Sequence, residues 1–119
     1  HGMNNQVEGI INSGQSVVII EDLVSTGKSS LNAVEALREK GAVIKGMLAI
    51  FTYGMEKATE NFKNNNCLLS TLTNYDALIQ KAVEENYIRK EDLESLLEWK
   101  KDPQAWSDAR IWDNKTISQ

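Results

Sequence analysis

One stretch near the start of this 119-residue sequence holds the residue types best suited to chemistry. Residues 17–20 are consecutive apolar β-formers, which predicts a strand buried on both faces of a sheet. The carboxylates of Glu21 and Asp22 end that strand, and a turn with Ser25, Thr26 and Gly27 leads into a helix. Small residues let backbone N–H groups approach an anion, and a helix N-terminus adds positive charge. The stretch therefore predicts an anion-binding loop beside two carboxylates that accept hydrogen bonds from hydroxyls, as a sugar phosphate requires.

This arrangement resembles the phosphoribosyl-pyrophosphate (PRPP) motif of type I phosphoribosyltransferases. In that motif four apolar and two acidic residues precede a loop that contains Thr or Ser and Gly. Two flanking features narrow the resemblance to orotate phosphoribosyltransferases, namely His1-Gly2 before the motif and the Phe-Thr-Tyr-Gly run at 51–54 after the next strand. The resemblance covers nearly the whole chain but only the C-terminal part of that enzyme. It implies one phosphoribosyltransferase-type domain over 1–119 that lacks its N-terminal portion.

The resemblance implies a reaction in which a ring nitrogen of orotate displaces pyrophosphate from PRPP. The product is orotidine 5′-monophosphate, an intermediate of pyrimidine (UMP) biosynthesis. Mg²⁺ is expected to be held by pyrophosphate and ribose oxygens, without direct protein ligands. A homodimer in the cytoplasm is expected, because a mobile loop of one subunit completes the site of its neighbour in the family. Two other functions stay open: transfer to another base, and a non-catalytic domain that senses PRPP or nucleotides.

The resemblance also assigns roles to individual residues. His1, at the end of the mobile loop, would contact the pyrophosphate, and Asp22 is the second catalytic residue. Ser25 and Tyr53 would contact orotate. The predicted PRPP site is one continuous segment consisting of Glu21, Asp22, Leu23, Val24, Ser25, Thr26, Gly27, Lys28 and Ser29.

Each of these assignments has a simpler alternative. The loop also fits an ordinary strand-to-helix turn with a serine N-cap, and the two carboxylates fit a solvated pair. Lys28 either contacts the phosphate or points to solvent. The Gly-Lys-Ser tail of a Walker A loop is present, but that motif needs a glycine at the position of Asp22, whose charge would repel a triphosphate. Tyr53 also fits an aromatic residue at a strand end, and His1 fits a terminal residue without a role.

Composition excludes several classes of function. A net charge of −4 and the lack of a basic run argue against a nucleic-acid surface. No apolar run approaches the roughly 20 residues of a membrane span, and no signal peptide is visible. The single Cys67 cannot form an intrachain disulfide, which fits a reducing compartment, and its apolar neighbours favour a buried small hydrophobe over a nucleophile.

Hydrophobic periodicity predicts the order strand, helix, strand, helix, strand, helix, helix. The predicted ranges are 17–20, 28–40, 42–53 with a bend at Gly46, 55–64, 67–72, a helix capped by Thr73 that runs to about 86, and 91–101. A short extended segment at 7–11 and one helical turn opening at Pro103 complete the prediction. Alternation of strands and helices indicates an α/β fold with a parallel sheet and flanking helices. Such sheets bind ligands at the C-terminal ends of their strands, where the predicted loop lies.

Overall fold

The computed structural model describes residues 7–117, and the side chains of residues 7–110. Three strands alternate with two helices in the first part of the chain. The strands are β1 (Ser16–Val24), β2 (Val43–Thr52) and β3 (Leu69–Asn74), and the helices are α1 (Lys28–Glu39) and α2 (Glu56–Asn64). The predicted α/β fold with a parallel sheet is confirmed.

The sheet has the order β1-β2-β3, and both neighbouring pairs are parallel. The register shifts between Val17 and Val18, where β2 contributes one extra residue just before Gly46. The predicted irregularity at this glycine is therefore a β-bulge inside a continuous strand. The last residues of the three strands, Val24, Thr52 and Asn74, lie side by side. The segments that follow β1 and β2 thus start from one edge of the sheet.

The hydrophobic core lies between the two helices and one face of the sheet. Its helical side chains repeat at three- and four-residue spacings, so each helix turns one apolar stripe inward. The buried members are Val24, Leu31, Val34, Met47, Ala49, Ala58, Phe62 and Cys67. Cys67 is 6% exposed, as expected for a small hydrophobe.

The opposite face of the sheet carries exposed apolar side chains. Side chains two residues apart along a strand share a face, and Ile20 is paired with Leu48. Ile20 is 68% exposed and Ile50 is 54% exposed, and the neighbouring Val18 and Leu72 are exposed as well. The prediction that the first strand is buried on both faces is therefore wrong for the described residues, because α1 and α2 both pack on the other face.

Several predicted boundaries are corrected by the structure. Strand β1 continues past Glu21 and Asp22 to Val24, and no strand forms at 7–11. Thr73 lies inside β3, which ends at Asn74, so it does not cap the next helix. The helix that opens at Pro103 runs to Ile117, much longer than one turn.

Residues from Tyr75 onward form a second compact unit of helices. They comprise α3 (Tyr75–Glu84), a 3₁₀ turn (Lys90–Asp92), α4 (Leu93–Lys101) and α5 (Pro103–Ile117). The buried Tyr75 donates its hydroxyl to the carbonyl of Leu96 at 2.8 Å, which ties α3 to α4. No helix among the described residues is both long and apolar enough to cross a membrane. One phosphoribosyltransferase-type domain over 1–119 stays a prediction.

Candidate functional site

A three-residue loop joins β1 to α1 at the carboxyl edge of the sheet. Ser25 is exposed, Thr26 is half-buried and Gly27 is the N-cap of α1. The N-cap residue is Gly27, which has no side chain to cap the helix, so the alternative of a serine N-cap is wrong. The first-turn N–H groups of any α-helix lack intrahelical acceptors. The start of α1, with Lys28 and Ser29 exposed, therefore presents the positive helix end and its first-turn N–H groups at the loop. Of these groups, the N–H of Lys28 already has an acceptor in Thr26.

Two features of position 27 exclude a residue with a side chain. Its φ of 83° lies in the left-handed region, which residues with a Cβ adopt only under strain. A Cβ built at this position would lie 2.5 Å from Cε2 of Phe62, a side chain 4% exposed in the core. The backbone of the loop therefore packs directly against α2, with no room for a side chain at residue 27.

A hydrogen bond from α2 fixes the middle of the loop. The side-chain amide of Asn61 donates to the carbonyl oxygen of Thr26 at 2.9 Å across 35 residues of chain. Within the loop, the N–H of Lys28 donates to Oγ1 of Thr26 at 3.4 Å. Sequence reasoning did not identify Asn61, because an asparagine in a polar helical stretch gives no local sign of a contact so far along the chain.

The two carboxylates lie within β1 instead of beyond its end. Glu21 is half-buried and paired with Ala49, whereas Asp22 is exposed. Consecutive strand residues point to opposite faces, so the structure does not bring both carboxylates to one side. Oδ1 of Asp22 accepts the backbone N–H of Leu23 at 2.7 Å. Of the pair, Asp22 is the one open to solvent beside the loop.

The next two predicted PRPP residues differ in exposure. Leu23 is partly exposed, whereas Val24 is 1% exposed and belongs to the core. Almost no surface of Val24, side chain or backbone, is therefore open to a ligand. Its carbonyl oxygen accepts the N–H of Tyr53 at 3.1 Å.

That hydrogen bond places Tyr53 next to the start of the loop. Tyr53 directly follows β2, is half-buried, and packs edge-on against Phe51 with ring centroids 5.2 Å apart. The structure thus brings the predicted orotate residues Ser25 and Tyr53 to the same edge of the sheet. The ring contact also fits the alternative of a strand-end aromatic.

Lys28 points away from the core and lines a cleft of about 490 Å³ between α1 and α2. Lys57 and Glu35 line the same cleft, which gives it charges of both signs. Thr26 lines it from the loop.

Two other predictions concern residues away from the loop. His1 and Gly2 lie outside the described residues. Burial raises the pKa of the Cys67 thiol, and the nearby Arg38 guanidinium opposes this effect only in part. A buried thiol with a raised pKa is a poor nucleophile at neutral pH.

Comparison with known proteins shows extensive similarity. The chain is 57% identical over 106 residues to the orotate phosphoribosyltransferase of Listeria monocytogenes, and 55% identical over 106 residues to that of Cytophaga hutchinsonii. The chain is homologous to orotate phosphoribosyltransferases. Both alignments cover 89% of this chain and 51% of the relative, so the chain spans about half the length of the curated relatives it matches. No family model matches the sequence.

Solved structures share the fold of this chain. Leishmania donovani UMP synthase superposes with a TM-score of 0.67 at 24% identity, over 77% of this chain and 20% of that one. Mycobacterium tuberculosis orotate phosphoribosyltransferase in complex with PRPP gives a TM-score of 0.51 at 27% identity, over 56% of this chain and 41% of that one. The expected type I phosphoribosyltransferase-like fold is therefore confirmed.

Proposed function

We propose that this chain carries the PRPP-binding part of an orotate phosphoribosyltransferase. One observation carries the proposal: α1 has a glycine as its N-cap, without a side-chain cap, and only a three-residue loop separates it from the strand that bears Glu21 and Asp22. The loop offers N–H donors to an anion, and the exposed carboxylate of Asp22 accepts hydrogen bonds from hydroxyls. Orotate is favoured as the acceptor base because the relatives at 57% and 55% identity are named for it.

In the proposed complex the 5′-phosphate of PRPP lies against the loop at residues 25–29. Backbone N–H groups and the hydroxyls of Ser25, Thr26 and Ser29 donate to its oxygens, and the positive end of α1 adds to the attraction. Lys28 reaches the phosphate only if its side chain turns from the cleft between α1 and α2. Asp22 accepts a hydrogen bond from a ribose hydroxyl. Glu21 supports the strand and reaches the ribose only if the end of β1 turns.

The proposed reaction breaks the bond between the ribose C1 and the pyrophosphate oxygen and forms a bond from C1 to a ring nitrogen of orotate. That nitrogen gives up its proton to the departing pyrophosphate. Pyrophosphate leaves with the bonding electron pair, and positive charge develops on the sugar. The carboxylate of Asp22 stabilises that charge, while the loop holds the phosphoribosyl group in place. The ring of Tyr53, next to the buried Val24, forms the neighbouring edge, where the base would lie.

Mg²⁺ is part of this proposal as a partner of the substrate. Within the described part of the chain, no cluster of three or more His, Cys, Asp or Glu side chains is arranged to hold a metal. Mg²⁺ commonly binds through substrate phosphates and only one or two carboxylates. Pyrophosphate and ribose oxygens would hold the ion without a direct protein ligand, and the ion would neutralise the charge of the pyrophosphate.

A charge substitution at the start of α1 tests the phosphate site. Ser29→Asp places a carboxylate in the first helical turn, where it favours the helix but repels a phosphate. We expect at least tenfold weaker binding of ribose 5-phosphate, by isothermal titration, with an unfolding midpoint no lower than that of the parent protein. Asn32→Asp adds the same charge to the same helix one turn later and serves as the matched control. Equal affinity in the folded Ser29→Asp variant would show that the phosphate lies elsewhere.

The choice of base and the assembly need the natural polypeptide in its full length. With PRPP and Mg²⁺, orotate absorbance should fall at an ordinary enzymatic rate, near 10 per second. Adenine, guanine and uracil should give little product. Sedimentation at micromolar concentration should show the proposed homodimer, for which we propose a location in the cytoplasm. Turnover of a purine instead of orotate would support transfer to another base, and binding without turnover would support a sensor.

A further inference from the structure

The hydrogen bond between α2 and the loop sets the direction of a peptide group in the proposed phosphate site. The Nδ2 atom of Asn61 donates to the carbonyl oxygen of Thr26 at 2.9 Å, in a partly buried position. That carbonyl belongs to the same peptide unit as the N–H of Gly27. In a trans peptide the C=O and N–H point in opposite directions, and the described chain has no cis peptide bonds. A Thr26 carbonyl drawn toward α2 therefore turns the Gly27 N–H away from α2.

The residue after Asn61 holds the same peptide from the apolar side. Phe62 packs so closely on Gly27 that a Cβ there would lie 2.5 Å from the ring. The ring limits how far the peptide moves toward α2, and the amide of Asn61 limits how it rotates. Two consecutive residues of α2 thus fix both the position and the orientation of one peptide unit.

The orientation of the Asn61 amide follows from its partner. A carbonyl oxygen only accepts hydrogen bonds, so the nitrogen of the Asn61 amide must face Thr26. The end of α2 is itself held, since Nδ2 of Asn65 donates to the backbone carbonyl of Asn61 at 2.8 Å. Arg38 of α1 donates to the carbonyl oxygens of Asn65 and Asn66, the second at 3.0 Å. The donor side chain therefore stands on a helix end that is anchored to α1.

We propose that Asn61 is a positioning residue that turns the Gly27 N–H toward the 5′-phosphate of the ligand. The inference rests on the proposed function of the loop and adds a residue that does not touch the ligand. It predicts that loss of the amide donor weakens the binding of phosphate-bearing ligands, while the fold and the base site are retained.

The test uses Asn61→Asp, which keeps the size of the side chain but removes the donor. Asn64→Asp makes the same change in the same last turn of α2, where the side chain is exposed, and is the matched control. Asn61→Gln retains an amide donor, so it should keep part of the affinity that Asn61→Asp loses. Should Asn61→Asp not fold, Asn61→Leu, of nearly the same shape, takes its place.

We expect Asn61→Asp to bind ribose 5-phosphate and PRPP about tenfold more weakly, by isothermal titration in the natural polypeptide at full length. The KM for PRPP should rise while the KM for orotate stays within about twofold of the parent value, given the local character of one hydrogen bond. In ¹⁵N spectra, addition of inorganic phosphate should shift the Gly27 amide of the parent protein strongly and that of Asn61→Asp weakly.

Two results would overturn the inference: unchanged PRPP affinity in a folded Asn61→Asp or Asn61→Leu variant, or an equal loss in Asn64→Asp. These results differ from a failure of the proposed function itself. In that case the parent protein would bind neither ribose 5-phosphate nor PRPP, before any substitution is made.

Discussion

Substituting Gly27 by alanine is the sharpest test of how the loop is built. The added Cβ faces two penalties, a left-handed backbone at φ 83° and an approach of 2.5 Å to the ring of Phe62. Left-handed backbone costs a non-glycine residue about 1–2 kcal/mol, and overpacking a core adds about 1–3 kcal/mol. We therefore expect Gly27→Ala to lower the free energy of unfolding by about 2–5 kcal/mol, as the sum of these two terms.

Gly14 separates the two penalties. Its φ of 84° matches that of Gly27, but a Cβ there would meet no atom of the described chain within 4 Å. Gly14→Ala should thus cost only the backbone term, about 1–2 kcal/mol. Urea titrations followed by far-UV circular dichroism measure both variants. The difference between them is the cost of the contact with Phe62.

A double mutant then assigns that difference to the ring. Phe62→Leu removes the atoms nearest to the added Cβ, so Gly27→Ala should be less destabilising in that background by about 1 kcal/mol or more. Equal costs for Gly27→Ala and Gly14→Ala would refute the close packing of the loop on α2. So would additive effects of Gly27→Ala and Phe62→Leu.

Three further predictions concern other parts of the chain. Asp22→Asn should weaken the binding of PRPP about tenfold or more but hardly change the binding of inorganic phosphate, because only the sugar carries hydroxyls. Equal losses of affinity for both ligands in titration calorimetry would give Asp22 a structural role. Since the folded state raises the pKa of Cys67, the folded protein holds the thiol proton more tightly than the unfolded chain does. The free energy of unfolding should then fall as pH rises above about 8.5. Cys67→Ala has no thiol, so in urea titrations across that pH range its free energy of unfolding should fall less. Replacing the exposed Ile20 and Ile50 by threonine should reduce binding of a hydrophobic dye to the 119-residue chain without lowering its stability. Unchanged dye fluorescence would mean that the dye does not bind at the open face of the sheet.

Local signals in the sequence are enough to predict the class of fold and the position of the loop. Periodicity of two in the strands and of about 3.6 in the helices reflects which side chains must leave water, and that requirement acts locally. The helix after the loop was predicted at 28–40 and observed at Lys28–Glu39, because its apolar stripe and the glycines at both ends are local signals. The motif of residues 17–29 predicted the type I phosphoribosyltransferase-like fold that the solved structures share.

Tertiary structure decided how the site is held and which faces are covered. An apolar run such as residues 17–20 does not reveal how many faces a neighbour covers, and here Ile20 lies on an open face. The strand continues through Glu21 and Asp22 because its ladder partners Ala49 and Phe51 extend that far, a pairing set by a distant strand. The contact between Asn61 and Thr26 joins residues 35 positions apart. Only the packing of α2 against the loop brings those two residues together, so no local pattern in the sequence predicts it.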